Sequence, residues 1–172
     1  WGTSGNRLYR NLGSRTFVDV TSESGVRDGG FGAGATFIDY DNDGDQDLVM
    51  ATGVNFRNDS PEDAWANDAL RFWTNDGTGR FSLATTPAGL TDTRAARGLL
   101  KFDYDRDGDL DLFIVNNGER PVLYRNDGGH TSGGWLRFEC AGVHACVGTI
   151  LIVTPVPGAV PRIIELHASS NY

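Results

Sequence analysis

Residues 39–48 read DYDNDGDQDL, and residues 103–112 read DYDRDGDLDL. Each stretch places five aspartates at alternating positions within nine residues. Carboxylates this close repel one another, so a compensating positive charge is expected at each place. The pair of stretches therefore indicates two things at once, a bound cation and an internal repeat.

The spacing D-x-D-x-D-G-x-x-D is typical of a calcium loop, because Ca²⁺ takes about 6–8 oxygen ligands at about 2.3–2.6 Å. Carboxylates at positions one, three and five can supply such ligands on a tight turn, and the glycine at position six lets the chain turn sharply. Position seven should offer its main-chain carbonyl, and position nine should return with a bidentate carboxylate. In order of position, the predicted ligands are Asp39, Asp41, Asp43, Asp45 and Asp47 in loop 1, and Asp103, Asp105, Asp107, Asp109 and Asp111 in loop 2.

Three alternatives to this kind of calcium loop fit the acidic pattern less well. An EF-hand would place a glutamate at position twelve, where Met50 and Ile114 stand, and would need flanking helices. Magnesium prefers fewer protein ligands and keeps its waters. An acidic turn without metal is the third alternative, but turn chemistry needs only one or two such residues. The sequence therefore predicts two Ca²⁺ sites.

A shift of 64 residues superimposes the first part of the chain on the second, so that Asn11 falls on Asn75 and Gly34 on Gly98. A third unit opens with VLYRN at 122–126. The units span about residues 6–70 and 71–120, with a partial third at 121–133. The first unit carries an insertion within 55–70, in which Asn58 begins a glycosylation sequon that matters if the protein is secreted.

Short alternating segments punctuated by Gly, Asn and Asp predict strands, and no segment has a sustained period near 3.6 residues. The predicted strands lie at 16–20, 35–39, 47–51, 80–84, 99–103 and 111–115. The fold class is therefore all-β, with a partial β-propeller-like repeat of about two and a half blades and a C-terminal β-hairpin segment.

A closed propeller needs at least four blades, more than this chain supplies. The chain is thus either a fragment of a larger propeller or a processed subunit that completes its sheets with strands from neighbours. The apolar stretch 149–166 could pair in this way with another copy, or could form an ordinary hairpin with itself. A homo-oligomer or filament is one prediction, and a monomeric module is the other.

Charge and hydropathy limit the kinds of partner that the protein is expected to bind. The net charge of −8 over 172 residues disfavours nucleic acid, and no apolar run approaches the roughly 18–20 residues of a membrane span. The sequence begins at Trp1, which fits either a removed signal peptide or a piece of a longer chain. Cys140 and Cys146 could form a disulfide in an oxidising compartment, remain as thiols, or join His144 at zinc.

The order LYRN, F-x-DVT, a glycine-rich strand and DYDNDGDQDL resembles the FG-GAP/VCBS repeats of integrin-like β-propellers, over roughly residues 6–130. This resemblance implies calcium loops that stabilise blades, and binding or adhesion rather than catalysis. Residues 134–172, with WLRFE, VGTILIVT and ELHASSNY, are similar to the ASPIC/UnbV segment that follows such repeats in secreted proteins. A two-part organisation follows, with calcium-binding repeats at 1–133 and a β segment at 134–172.

No nucleophile–base arrangement or phosphate loop is evident around the histidines and serines. A calcium-dependent polysaccharide enzyme, with a base such as Lys101 or a histidine, is the enzymatic alternative. Phe72, Trp73 and Trp135 are expected in blade cores, whereas Trp65 lies in the insertion and is expected to be exposed or in contact with a neighbour. A sugar-stacking patch formed by these four aromatics is the alternative. The prediction is a non-enzymatic, extracellular or cell-surface protein that is structural or adhesive and self-assembling, with a monomeric carbohydrate- or receptor-binding module as the alternative.

Overall fold

The computed structural model describes residues 5–53, 68–128, 148–154 and 162–165, the last of these as backbone. The chain divides into two compact units, Trp1–Gly134 and Trp135–Tyr172. Predictions made for Asn58, Cys140 and Cys146 lie outside the described residues, as do those for the histidines and for Trp65 and Trp135.

The described fold is almost entirely β, as the sequence predicts. One short helix, α1 (Thr21–Ser24), ends at Gly25, whose left-handed backbone (φ 81°) stops the turn. The strands are β1 (Tyr9–Gly13), β2 (Thr16–Asp19), β3 (Gly34–Ile38), β4 (Asp47–Ala51), β5 (Arg71–Asn75), β6 (Phe81–Leu83), β7 (Ala96–Phe102), β8 (Asp111–Asn116), β9 (Val122–Tyr124), β10 (Ile150–Val153) and β11 (Arg162–Glu165).

The strands of the first unit form blade-like antiparallel sheets. The central sheet has four strands in the order β3-β4-β5-β6, and its register pairs Phe37 with Leu48 and Leu48 with Trp73. A three-stranded sheet, β7-β8-β9, repeats the first three of these strands, and the hairpin β1-β2 corresponds to the last two. One complete blade is therefore flanked by parts of two others, in agreement with the predicted partial propeller.

Alternation along the central strands divides the core of the first unit into two clusters. Val49 and Phe72 face the β7-β8-β9 sheet, where they pack in one cluster with Ile114. Leu48 and Trp73 point to the opposite face and join a second cluster with Val26. Because adjacent strand residues alternate between faces, the central blade buries one face against the β7-β8-β9 sheet and the other against the segment that contains Val26. Phe72 and Trp73 are thus core residues, as predicted.

Three strands were missing from the sequence prediction, namely β1, β5 and β9. They contain the repeated opening motif, whose Arg and Asn residues hide the alternation that marks a strand. In the second unit, β10 pairs with β11 from Ile150 opposite Glu165 to Val153 opposite Arg162. Residues 149–166 thus contain a hairpin within the chain. Within the described residues, no helix has the length and apolar character required to cross a membrane.

Candidate metal centre

Loop 1 connects β3 to β4, and loop 2 connects β7 to β8, with nearly the same backbone. Asn42 and Arg106 both adopt left-handed conformations, with φ of 57° and 68°. Gly44 and Gly108 follow with φ of 97° and 98°, a conformation that glycine adopts without steric cost. In each loop, the spacing of these residues thus produces two sharp backbone turns, which lead the chain into the outgoing strand.

The first aspartate of each loop closes this turn by accepting the amide of the glycine. The N–H of Gly44 donates to Oδ1 of Asp39 over 3.3 Å, and that of Gly108 donates to Oδ2 of Asp103 over 3.2 Å. The fifth position adds a second local bond, since Oδ1 of Asp43 accepts the N–H of Asp45 at 2.8 Å. These bonds hold the carboxylates together on the inside of the turn.

Each loop brings three carboxylates together. In loop 1 these belong to Asp39, Asp41 and Asp43, and in loop 2 to Asp103, Asp105 and Asp111; within each group one oxygen per residue lies within 4.8 Å of the others. Two oxygens bound on opposite sides of a Ca²⁺ ion are separated by about 4.6–5.2 Å, twice the Ca–O distance. The all-oxygen donor sets therefore fit a hard divalent cation.

The aspartate at position nine ties each loop to two strands. Asp47 is buried, and its carboxylate accepts the N–H of Tyr40 at 3.2 Å and that of Asn75 at 2.8 Å. In loop 2, Asp111 accepts the N–H of Tyr104 at 2.7 Å and that of Asn126 at 2.8 Å. Position nine thus satisfies main-chain donors of its own loop and of a later segment, a role that the sequence reasoning missed. Its predicted bidentate coordination stays a prediction.

Crowding and burial act on the carboxylates in the same direction. Burial raises the pKa of Asp47 to about 6, against the opposing effect of its two main-chain hydrogen bonds. Burial, followed by the charge of Asp43, raises the pKa of Asp41, and the pKa of Asp105 is raised for analogous reasons. Since a nearby cation favours the ionised form, it would relieve this unfavourable clustering.

Position seven differs between the loops. Asp109 is completely buried, and its Oδ1 accepts a hydrogen bond of 2.6 Å from Nδ2 of Asn42 in loop 1. Asp45 is only partly buried and lies beside Gly77, where an added Cβ would meet its Oδ2 at 2.5 Å. Coordination of the ion by the main-chain carbonyls of these two residues stays a prediction.

Two asparagines that the sequence reasoning did not single out occupy important positions. Asn42 stands at a position of the loop pattern to which no ligand is assigned. Its neighbours in the sequence do not indicate that it contacts another blade. Asn126 donates through Nδ2 to the carbonyl of Tyr40 over 2.6 Å, across the two sheets. The 64-residue repeat did contain a signal here, because the same opening asparagine recurs at Asn11 and Asn75.

Lys101, the candidate base, also joins the two sheets. Its Nζ donates to the carbonyl of Phe37 at 2.7 Å, which links β7 to β3. Burial lowers its pKa, while the charge of Asp39 opposes that shift. The described contacts therefore give Lys101 a structural task beside loop 1.

Further ionic contacts stabilise the connections between strands. Arg71 donates through Nε to Asp28 at 2.8 Å and through Nη2 to Asp68 at 2.5 Å, all three side chains being largely buried. In the next repeat, Asp92 takes the place of Asp28 and accepts hydrogen bonds from Arg94 and Asn116. The ion pairs give these buried charges their partners, but within the described residues Oδ2 of Asp68 and Oδ1 of Asn116 accept no hydrogen bond.

Fold and site together define an all-β repeat protein in which two of the blade-like sheets carry an acidic loop suited to a hard cation. A family model described as FG-GAP-like repeat matches residues 1–50 and 63–114. Because these ranges cover more than half of the chain, the protein belongs to the FG-GAP-like repeat family. The family is generally a structural or binding fold. A search of curated proteins found no match.

Proposed function

We propose that the protein is an extracellular or cell-surface structural or adhesive module, and that two Ca²⁺ ions stabilise its blades. The observation that carries this proposal is the presence of three converging carboxylates in each of two loops with matching backbone. Membership of a generally structural or binding family supports a role without catalysis.

Bound Ca²⁺ would supply charge neutralisation and a cross-link between neighbouring carboxylates. The chain's own residues determine what that cross-link would stabilise. Position nine is hydrogen-bonded to the repeated opening motif that follows it in the chain, through Asn75 at the end of β5 in one copy and through Asn126, just after β9, in the other. Drawing the loop together therefore stabilises three adjacent strands of a blade. The residues proposed to hold the ions are the ten aspartates of the two loops.

Calcium titration by isothermal calorimetry tests this proposal. The natural sequence should bind two ions, with dissociation constants of about 10⁻⁴–10⁻³ M if it behaves like other extracellular modules. Asp41→Ala and Asp105→Ala remove equivalent ligands from the two loops, and each should abolish one site. Magnesium at the same concentrations serves as the control. Absence of calcium binding by the natural sequence would contradict the proposal.

We also propose that copies of the chain associate through the β1-β2 hairpin. Every residue of these strands is exposed, including Tyr9 at 52% and Phe17 at 61%. Within the described residues β1 pairs only with β2, and an unpaired strand edge favours strand addition. The partner proposed is a second copy, because LYRN at 8–11 is identical to LYRN at 123–126, which contributes to β9.

In the described chain, β9 pairs with β8, and the amide of Asn126 caps Asp111. The β1 strand of a second copy carries the same groups in the same order, with Asn11 in the place of Asn126. If β1 of a second copy took the place of β9 beside β8, β1 and β2 would both join the β7-β8 pair. The result would be a four-stranded blade like β3–β6. Repetition of the exchange from copy to copy would generate an open assembly.

Light scattering after size-exclusion chromatography, over a range of protein concentrations, tests self-association. The natural sequence should form species larger than a monomer, and Tyr9→Lys should weaken them because an edge lysine opposes strand addition. Leu83→Lys adds the same charge at another exposed strand position and should leave assembly intact. A monomer at every concentration would refute self-association and favour a monomeric module that binds carbohydrate or a receptor.

Four finer assignments complete the proposal. We assign the C-terminal segment to the ASPIC/UnbV type and the repeats to the VCBS variety, on the quoted sequence resemblance. A Cys140–Cys146 disulfide and glycosylation at Asn58 would both accompany secretion. Intact mass spectrometry with and without reduction would measure the disulfide, and two unreacted thiols in protein purified under oxidising conditions would contradict it.

A further inference from the structure

Loops 1 and 2 make direct hydrogen-bonded contact through two asparagines. Asn42 of loop 1 donates from Nδ2 to Oδ1 of Asp109 in loop 2, at 2.6 Å. Asn126, which follows β9, donates from Nδ2 to the carbonyl of Tyr40 in loop 1, also at 2.6 Å. Both contacts cross from one sheet to the next, so the two loops share structural elements.

Each contact is fixed at both of its ends. The left-handed turn that places Asn42 lies between two proposed ligands, Asp41 and Asp43. Its acceptor, Asp109, is completely buried. Asn126 donates its main-chain N–H to Oδ1 of Asp111 at 2.8 Å while its side chain holds loop 1. A change in the order of either loop is therefore expected to alter the contacts of the other.

We propose that Asn42 and Asn126 couple the two calcium sites, so that occupation of one loop raises the affinity of the other for Ca²⁺. This inference rests on the proposed function. When an ion fixes the turn of loop 1, the side chain of Asn42 is fixed with it, and so is its partner in loop 2. The second ion then meets a loop that is already ordered, which lowers the conformational entropy lost on binding.

The repeat supplies matched control positions. Arg106 stands in loop 2 where Asn42 stands in loop 1, with the same sign of φ, so replacement by glycine is equally compatible with both backbones. Asn75 occupies the position equivalent to Asn126 in the repeated opening motif. Its Nδ2, however, donates to the carbonyl of Gln46 at 3.1 Å, within its own blade. Variants at Arg106 and Asn75 thus reproduce the local change and spare the contacts between loops.

The experiment follows the amide NMR signals of Gly44 and Gly108 during a titration with CaCl₂, one signal for each loop. In the natural sequence, removal of loop 1 binding by Asp41→Ala should raise the calcium midpoint of Gly108 by about fivefold or more, the lower end of coupling between linked sites. In an Asn42→Gly background, where only the Asn126 contact remains, adding Asp41→Ala should shift that midpoint by a smaller factor than in the natural sequence. An Arg106→Gly background should preserve the full shift seen with Asp41→Ala in the natural sequence.

If Asn42→Gly fails to fold, Asn126→Ala replaces it, with Asn75→Ala as its control. The coupling would be overturned if Asp41→Ala left the Gly108 midpoint unchanged. It would also be overturned if Asp41→Ala shifted that midpoint equally in the natural sequence and in the asparagine variant. In both of those cases, calcium would still move both glycine signals and the proposed function would stand. No response of either glycine in the natural sequence would refute the proposed function and the coupling together.

Discussion

Loops 1 and 2 have the same aspartate pattern and the same backbone, yet they lie in different surroundings. Their left-handed residues, their glycines and the hydrogen bonds of positions one and nine correspond pair by pair. Beyond those atoms the loops diverge. Tyr40 packs edge-on against Phe72 with ring centroids 4.9 Å apart, whereas Tyr104 is 50% exposed.

The comparison separates what a repeat determines locally from what its neighbours add. Nine residues with the right spacing are sufficient for the turn and for the convergence of carboxylates. Burial depends on the adjacent sheet, which covers Tyr40 and brings Asn42 onto Asp109. The two copies thus share their turn, but positions one, three and five converge in loop 1 and positions one, three and nine in loop 2, and the copies are unequal as parts of the core.

Calcium removal should produce the largest effect and should act on both loops. At a concentration a hundredfold above the dissociation constant, each bound ion adds about 2.7 kcal/mol to the free energy of unfolding. Loss of two ions should lower the melting temperature by roughly 10–20 °C in a domain of this size. Differential scanning calorimetry with and without a chelator measures the change. An unchanged melting temperature would mean that the loops need no ion.

Replacement of the position-nine aspartates tests whether the loops are equivalent without metal. Asp47→Ala and Asp111→Ala each leave two main-chain N–H groups without their acceptor, at about 1–3 kcal/mol for each group that stays buried. Urea denaturation in the presence of chelator should show similar losses for both variants. Asp45→Ala, at a more exposed carboxylate, is the control and should cost less. A large loss in only one of the two loops would break the equivalence.

Replacement of the tyrosines tests the predicted inequality. Tyr40→Ala removes a packed ring and its contact with Phe72, and should lower the free energy of unfolding by about 2–3 kcal/mol. Tyr104→Ala changes a half-exposed ring and should cost less than about 1 kcal/mol. The same denaturation assay compares them. Equal losses would show that the environment of loop 2 is as buried as that of loop 1.

Acid sensitivity offers a smaller test in the second repeat. Burial favours a higher pKa for Asp92, but hydrogen bonds from Arg94 and Asn116 outweigh it and lower the pKa. A lowered pKa contributes stability above the unfolded value near 3.8, and that contribution is lost as the pH falls through the folded pKa. Below pH 4, Asp92→Asn should therefore lose less stability than the natural sequence does. Parallel pH curves for the two proteins would exclude this contribution.

The sequence predicted the all-β class and the repeat, and three of the five aspartates that it named in each loop converge, because these features depend on short-range spacing. It could not predict that position nine caps main-chain groups of a later strand, since that requires the register between β4 and β5. The contact made by Asn42 could not be predicted for a related reason, because its acceptor lies 67 residues away. The strands β1, β5 and β9 were missed because their polar residues hide the period of two.

Calcium binding by the two matched ligand variants tests the central claim most directly. Calorimetric titration should give two ions per chain for the natural sequence and one each for Asp41→Ala and Asp105→Ala. The double variant should bind none while keeping its β-sheet circular dichroism spectrum. Two ions bound by that double variant, or none bound by the natural sequence, would contradict the assignment of the aspartate loops as calcium sites.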